Sequence, residues 1–414
     1  MEKKLFSRDF TLLSLGRFVS LFGNCIIKFA LPLYLLNQTS SSALYGTVTA
    51  FAFIPQILLS PVGGIIADRV NKRNIMLALD IFTAAVVLAF SLLFHGVSLV
   101  LLMAVTLMIL YGITGAYDPS VQASIQVLVC REHYVAANSI LDIINSISSL
   151  AGPVMGGMIY AAYGLEPVLW ICTACFLLSA ALKVFLHMPA VEQTVSGGIW
   201  SSVKGDLAES VRYICKDKPL IGKMVLAICG INLFLSAMFI VGLPYIITEL
   251  LGFEAEQANR LFGFTQGAMA AGGLTGGISA GIFAKKLKAQ KAGNLMVACA
   301  LCVFPIGASM ILFSSAMVNY IVITVFSFII MIFSTIFTVQ MTSLVQAETP
   351  QNLIGKVIAV ILTICMCAQP LGNAMYGVLF EACRGFEYAA VLFSGVASLI
   401  IALCINRFMG AGKE

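Results

Sequence analysis

Charge is the scarcest property of this chain. Only 10% of its 414 residues are Asp, Glu, Lys or Arg, while 60% are hydrophobic. A soluble domain carries about 25% charged residues, so a water-facing surface is excluded and the solvent must be mostly lipid. Histidine is scarce as well: His95, His133 and His187 sit at or near loops, far apart in sequence, so no metal site is expected. The chain has no G-x-x-x-x-G-K-[ST] pattern, which argues against ATP as an energy source. No nucleophile–base constellation is present, so no catalytic residue, no cofactor and no enzyme activity are expected. The start, Met1 to Asp9, runs straight into an apolar segment too long for a signal h-region, so no cleavable signal is expected. The net charge of +5 is no nucleic-acid signal.

What is abundant is apolar sequence of spanning length. A helix needs ~20 apolar residues to cross a bilayer. Twelve such stretches occur, near 10–36, 43–66, 75–94, 98–121, 138–162, 166–186, 220–248, 260–283, 292–313, 318–341, 356–380 and 386–408. They read as helices, which satisfy their own backbone hydrogen bonds in hydrocarbon. With the N-terminus inside, nearly all cations fall on one side, including Arg8, Arg69, Lys72, Arg73, Arg131, Lys204, Lys285, Lys356 and Arg407. Lys183 can snorkel to that side. Arg260 and Arg384 fall near the other. The positive-inside rule then puts both termini in the cytoplasm and the chain in a cell membrane.

The twelve cysteines lie mostly within spans and form no disulfide framework. Cys172-x-x-Cys175 and Cys299-x-x-Cys302 have redox or metal spacing, but they sit mid-helix in apolar surroundings and read as packing. The longest polar stretch, 187–219, divides the chain. Val203, Leu207, Val211 and Ile214 there have helical spacing and predict an amphipathic helix on the membrane surface. The expected organisation is an N-terminal six-helix bundle over 1–186, a cytoplasmic loop over 187–219 and a C-terminal six-helix bundle over 220–414. Weak internal similarity supports two halves: Gln126 matches Gln346, and Gly152-Pro153 has a counterpart in Pro370-Leu371-Gly372.

Between the second and third spans lies a charged string, Gly64-Ile-Ile-Ala-Asp68-Arg69-Val-Asn-Lys72-Arg73. The fifth span carries Gly152-Pro153-Val-Met-Gly156-Gly157. Together with Asp118-Pro119 and the segment from Gln346 to Val357, these resemble motifs of the major facilitator superfamily (MFS), near its macrolide-efflux and enterobactin-exporter-like branch. The resemblance runs through nearly the whole chain. It implies an all-α membrane protein of twelve transmembrane helices in two pseudo-symmetric six-helix bundles. It also implies alternating-access transport of a small molecule, driven by a proton or other ion gradient. Export of an amphipathic compound leads. Nutrient or lysolipid uptake, and a non-transporting sensor of the same fold, are the alternatives. By the same resemblance Asp68, with Arg69 and Arg73, closes the inner side against the start of the eleventh helix, and Gly64 and Lys72 belong to that gating motif. The fifth-span motif of Gly152, Pro153, Gly156 and Gly157 permits close helix approach and a kink. One departure is Met108, where many proton-driven members carry an arginine.

Ionisable groups at membrane depth are costly and mark cavities or pairs. Arg17, Asn24 and Lys28 share one face of the first span, with Leu21 between them. A cationic stripe lining a cavity suits an anionic or zwitterionic substrate; snorkelling to opposite interfaces is the competing reading. The two cations can also pair with acids, for which Asp80, Asp118 and Asp142 are the candidates; Arg17 pairs most readily with Asp118 or Asp142, either of which could carry protons. Gln266, Gln340 and Gln369 are further candidate substrate contacts, equally readable as interhelical hydrogen bonds. The expected partners are a small-molecule substrate, a coupling ion and the bilayer, with the chain a monomer.

Overall fold

The computed structural model describes residues 7–94, 96, 98–130, 133–188, 211–282, 292–349 and 354–410. Among the described residues there is no strand, and twelve long helices account for nearly everything. They are α1 (Arg8–Thr39), α2 (Ser42–Arg69), α3 (Lys72–Leu93), α4 (Leu99–Leu128), α5 (Tyr134–Tyr163), α6 (Leu165–Val184), α7 (219–250), α8 (Ala255–Ile282), α9 (Ala292–Leu312), α10 (Ala316–Glu348), α11 (Ile354–Ala382) and α12 (Tyr388–Gly410). The helix α7 is irregular, with π turns at Asn232–Ser236, Met238–Gly242 and Ile246–Leu250.

The helices match the twelve expected stretches. Eleven of them, among the described residues, are long and apolar enough to cross a membrane. The twelfth, α8, is 28 residues long, ~42 Å at 1.5 Å per residue, but rich in glycine and alanine rather than leucine. Its glycines serve packing. A Cβ at Gly272 would lie 2.5 Å from the Phe328 carbonyl oxygen of α10, and one at Gly276 2.7 Å from that of Ile332. Lipid is as apolar as a leucine side chain, so helix association depends on such close backbone approach. Large apolar side chains instead point outward: Leu58, Leu92, Leu226 and Leu312 are all strongly exposed on the protein.

Prolines lie inside α1 (Pro32), α4 (Pro119), α5 (Pro153), α9 (Pro305) and α11 (Pro370). Each removes one backbone donor, a loss that neighbouring helices and hydroxyls make tolerable in a membrane. Polar side chains cap some of the helix starts. Ser7 accepts the Phe10 N–H to open α1, and Asn71 accepts the Arg73 N–H at 3.0 Å to open α3.

The chain forms two compact units. The first comprises Met1–Ser40, Phe51–Val195 and Glu254–Gly267; the second comprises Ser41–Ala50, Ser196–Phe253 and Ala268–Glu414. In the first, α1 packs against α4, α5 and α6. In the second, α9 packs against α10 and α12, and α7 against α11 and α12. The segment Ser41–Ala50 joins the second unit through Ser42, whose hydroxyl donates to the Gly377 carbonyl at 2.9 Å. The amphipathic helix expected around 203–214 falls largely outside the described residues.

Candidate functional site

Five helices of the first unit converge on one polar network. On α1, Arg17 forms an ion pair with Asp118 of α4 at 2.9 Å and donates to Asn145 Oδ1 of α5 at 3.4 Å. Its guanidinium also lies 5.3 Å from the centre of the Tyr117 ring. One turn further along α1, Ser20 donates to Asp80 Oδ1 of α3 at 2.9 Å. The other Asp80 oxygen accepts from Ser179 of α6 at 2.6 Å and pairs with the Lys183 ammonium. Lys183 further donates to Ser179 Oγ at 2.8 Å and to the Tyr117 hydroxyl. A cavity of about 20 Å³ lies among Arg17, Asn24, Asp80, Thr114, Tyr117 and Asp118, room for about one water.

The stripe on α1 therefore faces this network. Arg17, Leu21 and Asn24 line the cavity. Lys28 does not snorkel: its ammonium donates to Thr114 Oγ1 at 2.7 Å and lies 4.1 Å from the centre of the Tyr111 ring. Among the described residues no carboxylate lies within ion-pair distance of Lys28. Asp142 is exposed on α5, while Asp118 is the acid that meets Arg17. Lys183 departs from the snorkelling expected of it. It is fully buried because Asp80, Ser179 and Tyr117 satisfy its donors within the bundle. Sequence reading missed this pairing. The i, i+4 spacing of Ser179 and Lys183, with an acid in another span, was the available signal.

The remaining candidates lie elsewhere. Gln266 is half-buried on α8 in the first unit. In the second unit, Gln369 donates to Asn373 Oδ1 at 2.9 Å. Gln340 is only 8% exposed, and neither of its buried amide atoms has a hydrogen-bond partner. Met108 lines an apolar groove with Pro55, Phe82 and Val105, so it contributes no charge to the network.

Of the charged motif, Gly64, Asp68 and Arg69 fall in the last turns of α2, and the Asp68 and Arg69 side chains lie outside the described residues. Lys72 is buried at the start of α3. Arg73 donates from Nε to the Lys183 carbonyl at 3.0 Å and from Nη2 to the Val184 carbonyl. It thus joins the last carbonyls of α6, of which that of Lys183 also accepts the Leu186 N–H at 3.2 Å. Asn71 adds a bond to the Met188 carbonyl at 3.4 Å.

The fifth-span motif divides its work among neighbours. A Cβ at Gly152 would lie 2.5 Å from Cys25 Cβ of α1, and one at Gly157 3.1 Å from Gly263 Cα of α8. At Gly156 the nearest atoms are 3.5 Å away, an ordinary contact. Beside this crossing, the Asn37 amide donates to Tyr160 Oη at 3.1 Å and to Asn259 Oδ1 at 2.9 Å. No cluster of His, Cys, Asp and Glu able to hold a metal occurs among the described residues.

Long apolar helices around a buried network of ion pairs define a polytopic membrane protein of the transporter class. Comparison with known proteins gives the same class. The family model of the Major Facilitator Superfamily matches residues 13–373. Macrolide efflux protein A of Streptococcus pyogenes is 21% identical, across 94% of this chain and 93% of that protein. The uncharacterized MFS-type transporter YkuC of Bacillus subtilis is 26% identical over 52% of this chain, and the match spans about half of that relative's length, 51%. The crystal structure of the nucleoside transporter NupG superposes with a TM-score of 0.74 at 13% identity, covering 97% of this chain and 99% of that one. The chain belongs to the major facilitator superfamily.

Proposed function

We propose that this protein exports small amphipathic compounds by alternating access, using a proton gradient, and that its substrates carry a negative or zwitterionic group. The observation that carries the substrate class is Lys28. It is held in a membrane span by a hydroxyl and an aromatic face, with no described carboxylate within ion-pair distance. An ammonium in that setting lacks the counter-charge that a substrate anion supplies, and intramembrane charges are costly without one. The efflux relative supports export as the direction.

In this reading two six-helix bundles, 1–186 and 220–414, are joined by the loop 187–219. Both termini are cytoplasmic, following the distribution of cations, and the working unit is the monomer. Asp118 carries the coupling proton: neutralising it releases Arg17, its ion-pair partner. Asp68 steadies the closed inner side.

The test is reconstitution into proteoliposomes with an imposed pH gradient and a panel of anionic, zwitterionic, neutral and cationic amphiphiles. Flux of anionic or zwitterionic compounds is expected, with Lys28→Gln losing them selectively. Flux confined to cations would overturn the substrate class. Ligand binding without flux of any compound would replace transport by sensing.

A further inference from the structure

A basic surface meets an apolar groove at the start of α7, in the second unit. The stretch from Arg212 to Lys223 carries four cations, Arg212, Lys216, Lys218 and Lys223. Two acids accompany them among the described residues: Asp217 in the same stretch, and Glu348 at the end of α10, which pairs with Lys218. Positive charge is therefore in surplus by two. Arg212, Lys216 and Lys223 are exposed. The segment is held in place by Tyr213, whose hydroxyl donates to the Glu348 carbonyl at 2.7 Å.

The groove has a volume of about 460 Å³. Pro219, Gly222, Leu226 and Cys229 line it at helical spacing along α7, with Ile214 before the helix and Ile364 of α11 beside it. Lys223 lines it too, nearly one turn closer to the basic surface than Leu226. Side chains on a helix lean towards its N-terminus, so a lysine at 223 carries its ammonium to the surface while its stem stays along the apolar wall.

Hydrocarbon is what this groove faces. Leu226 is 74% exposed on the protein. Ile364 opens an exposed stripe on α11 that continues through Cys367, Leu371 and Val378 at helical spacing, along most of the span. From Pro219 to Cys229 the groove follows ten residues of helix, about 15 Å at 1.5 Å per residue. A hydrocarbon core is ~30 Å thick, so this is the depth of one leaflet. A groove that is apolar for one leaflet and cationic at its mouth has the polarity of an anionic phospholipid, acyl chain within and phosphate at the surface. A zwitterionic headgroup brings its own cation and leaves the surplus charge uncompensated. Basic residues at the end of a span attract anionic lipid for this reason.

We propose that the groove at the start of α7 binds an anionic phospholipid, with one acyl chain lying along Leu226 and Cys229 and the phosphate held by Lys223 and Lys216. The site is independent of the α1 network and needs no transport to be detected.

The test uses the full-length protein in a non-ionic detergent, with phosphatidylglycerol or phosphatidylcholine of identical acyl chains added to the micelles. Native mass spectrometry reads the binding. Wild type should bind phosphatidylglycerol at least about tenfold more tightly, since each lysine near an anionic surface contributes about fivefold. Lys223→Gln should lose about fivefold of that preference, and Lys216→Gln/Lys223→Gln most of it. Arg384→Gln, altering an exposed cation beyond the far end of α11, should match wild type. Equal affinity of wild type for the two lipids, a preference unchanged in the double variant, or an equal loss in Arg384→Gln would overturn the site. A second measurement needs no variant. Phosphatidylglycerol should slow the alkylation of Cys229 by N-ethylmaleimide more than phosphatidylcholine does, read by peptide mass spectrometry, and inorganic phosphate should not slow it. Equal rates with the two lipids would leave the groove without its acyl chain and overturn the proposal. Protection by inorganic phosphate would overturn it as well, assigning the basic surface to a free anion.

Discussion

Asp80 and Lys183 pair with neither side chain reaching the surface: the acid is 2% exposed and the lysine 0%. Ser20, Ser179 and Tyr117 take up the remaining hydrogen bonds, so the pair is fully satisfied inside α1, α3, α4 and α6. Breaking such a pair from one side strands a buried charge, at about 3–5 kcal/mol, whereas removing both charges together can be nearly neutral.

Lys183→Met should therefore unfold the protein at markedly lower temperature in detergent. The double variant Asp80→Asn/Lys183→Met should recover most of the loss. A double-mutant cycle read by thermal unfolding checks this. Additive losses would mean that the two residues do not act as a pair.

Much of the fold was legible because hydrophobic length reports a membrane span directly. The twelve stretches became twelve helices, and α8 was the weakest because glycine lowers hydropathy while serving packing. Half of the network was legible as well. Arg17, Asn24 and Lys28 share a face by helical geometry alone, and Asp118 is one of the three acids, with Asp80 and Asp142, that the sequence offers the first-span cations. The rest depended on tertiary neighbours that periodicity does not encode. Lys183 sits one residue from the end of α6, where snorkelling is the ordinary outcome. Only the convergence of α3, α4 and α6 turns it inward. The role of Arg73 was hidden for the same reason: its partners are backbone carbonyls 110 and 111 positions away.

Asp118 is expected to govern coupling rather than folding. It is 41% exposed, and its partner Arg17 keeps a second acceptor in Asn145. Asp118→Asn should leave expression and melting temperature close to wild type while abolishing the response of transport to an imposed pH gradient. Asp142→Asn, altering an exposed acid, should retain that response. Proteoliposome flux with and without the gradient separates the two. Gradient-driven flux by Asp118→Asn would remove the residue from proton coupling.

The glycines of the fifth span make unequal demands. An added methyl at Gly152 meets Cys25 Cβ at 2.5 Å, an atom fixed by the backbone that no rotamer change can move. Overpacking of this kind costs about 1–3 kcal/mol. Gly152→Ala should thus be clearly destabilising, and Cys25→Gly should restore part of the loss by making room. Gly156→Ala meets only ordinary contacts at 3.5 Å and should shift stability by no more than about 0.5 kcal/mol. Thermal melts of the three variants decide it, and equal losses at Gly152 and Gly156 would contradict the geometry.

Arg73 binds the end of α6 through two nitrogens aimed at successive carbonyls, Lys183 and Val184. A cation at a helix C-terminus interacts favourably with the exposed carbonyls and the helix dipole, and a charged hydrogen bond contributes about 1.5–3 kcal/mol. Lysine keeps the charge but not the planar fork, so it cannot satisfy both carbonyls in the same geometry. Arg73→Ala should consequently lower the melting temperature, and Arg73→Lys should recover only part of the difference. The first of those carbonyls belongs to Lys183 itself, so the loosened helix end also loosens the grip on Asp80. Arg73→Ala should then cost less in a background already carrying Asp80→Asn/Lys183→Met. Transport per folded molecule distinguishes this capping role from gating. A cap alters the amount of folded protein and leaves its turnover unchanged. A fall in turnover at unchanged stability would instead make Arg73 part of the moving inner gate.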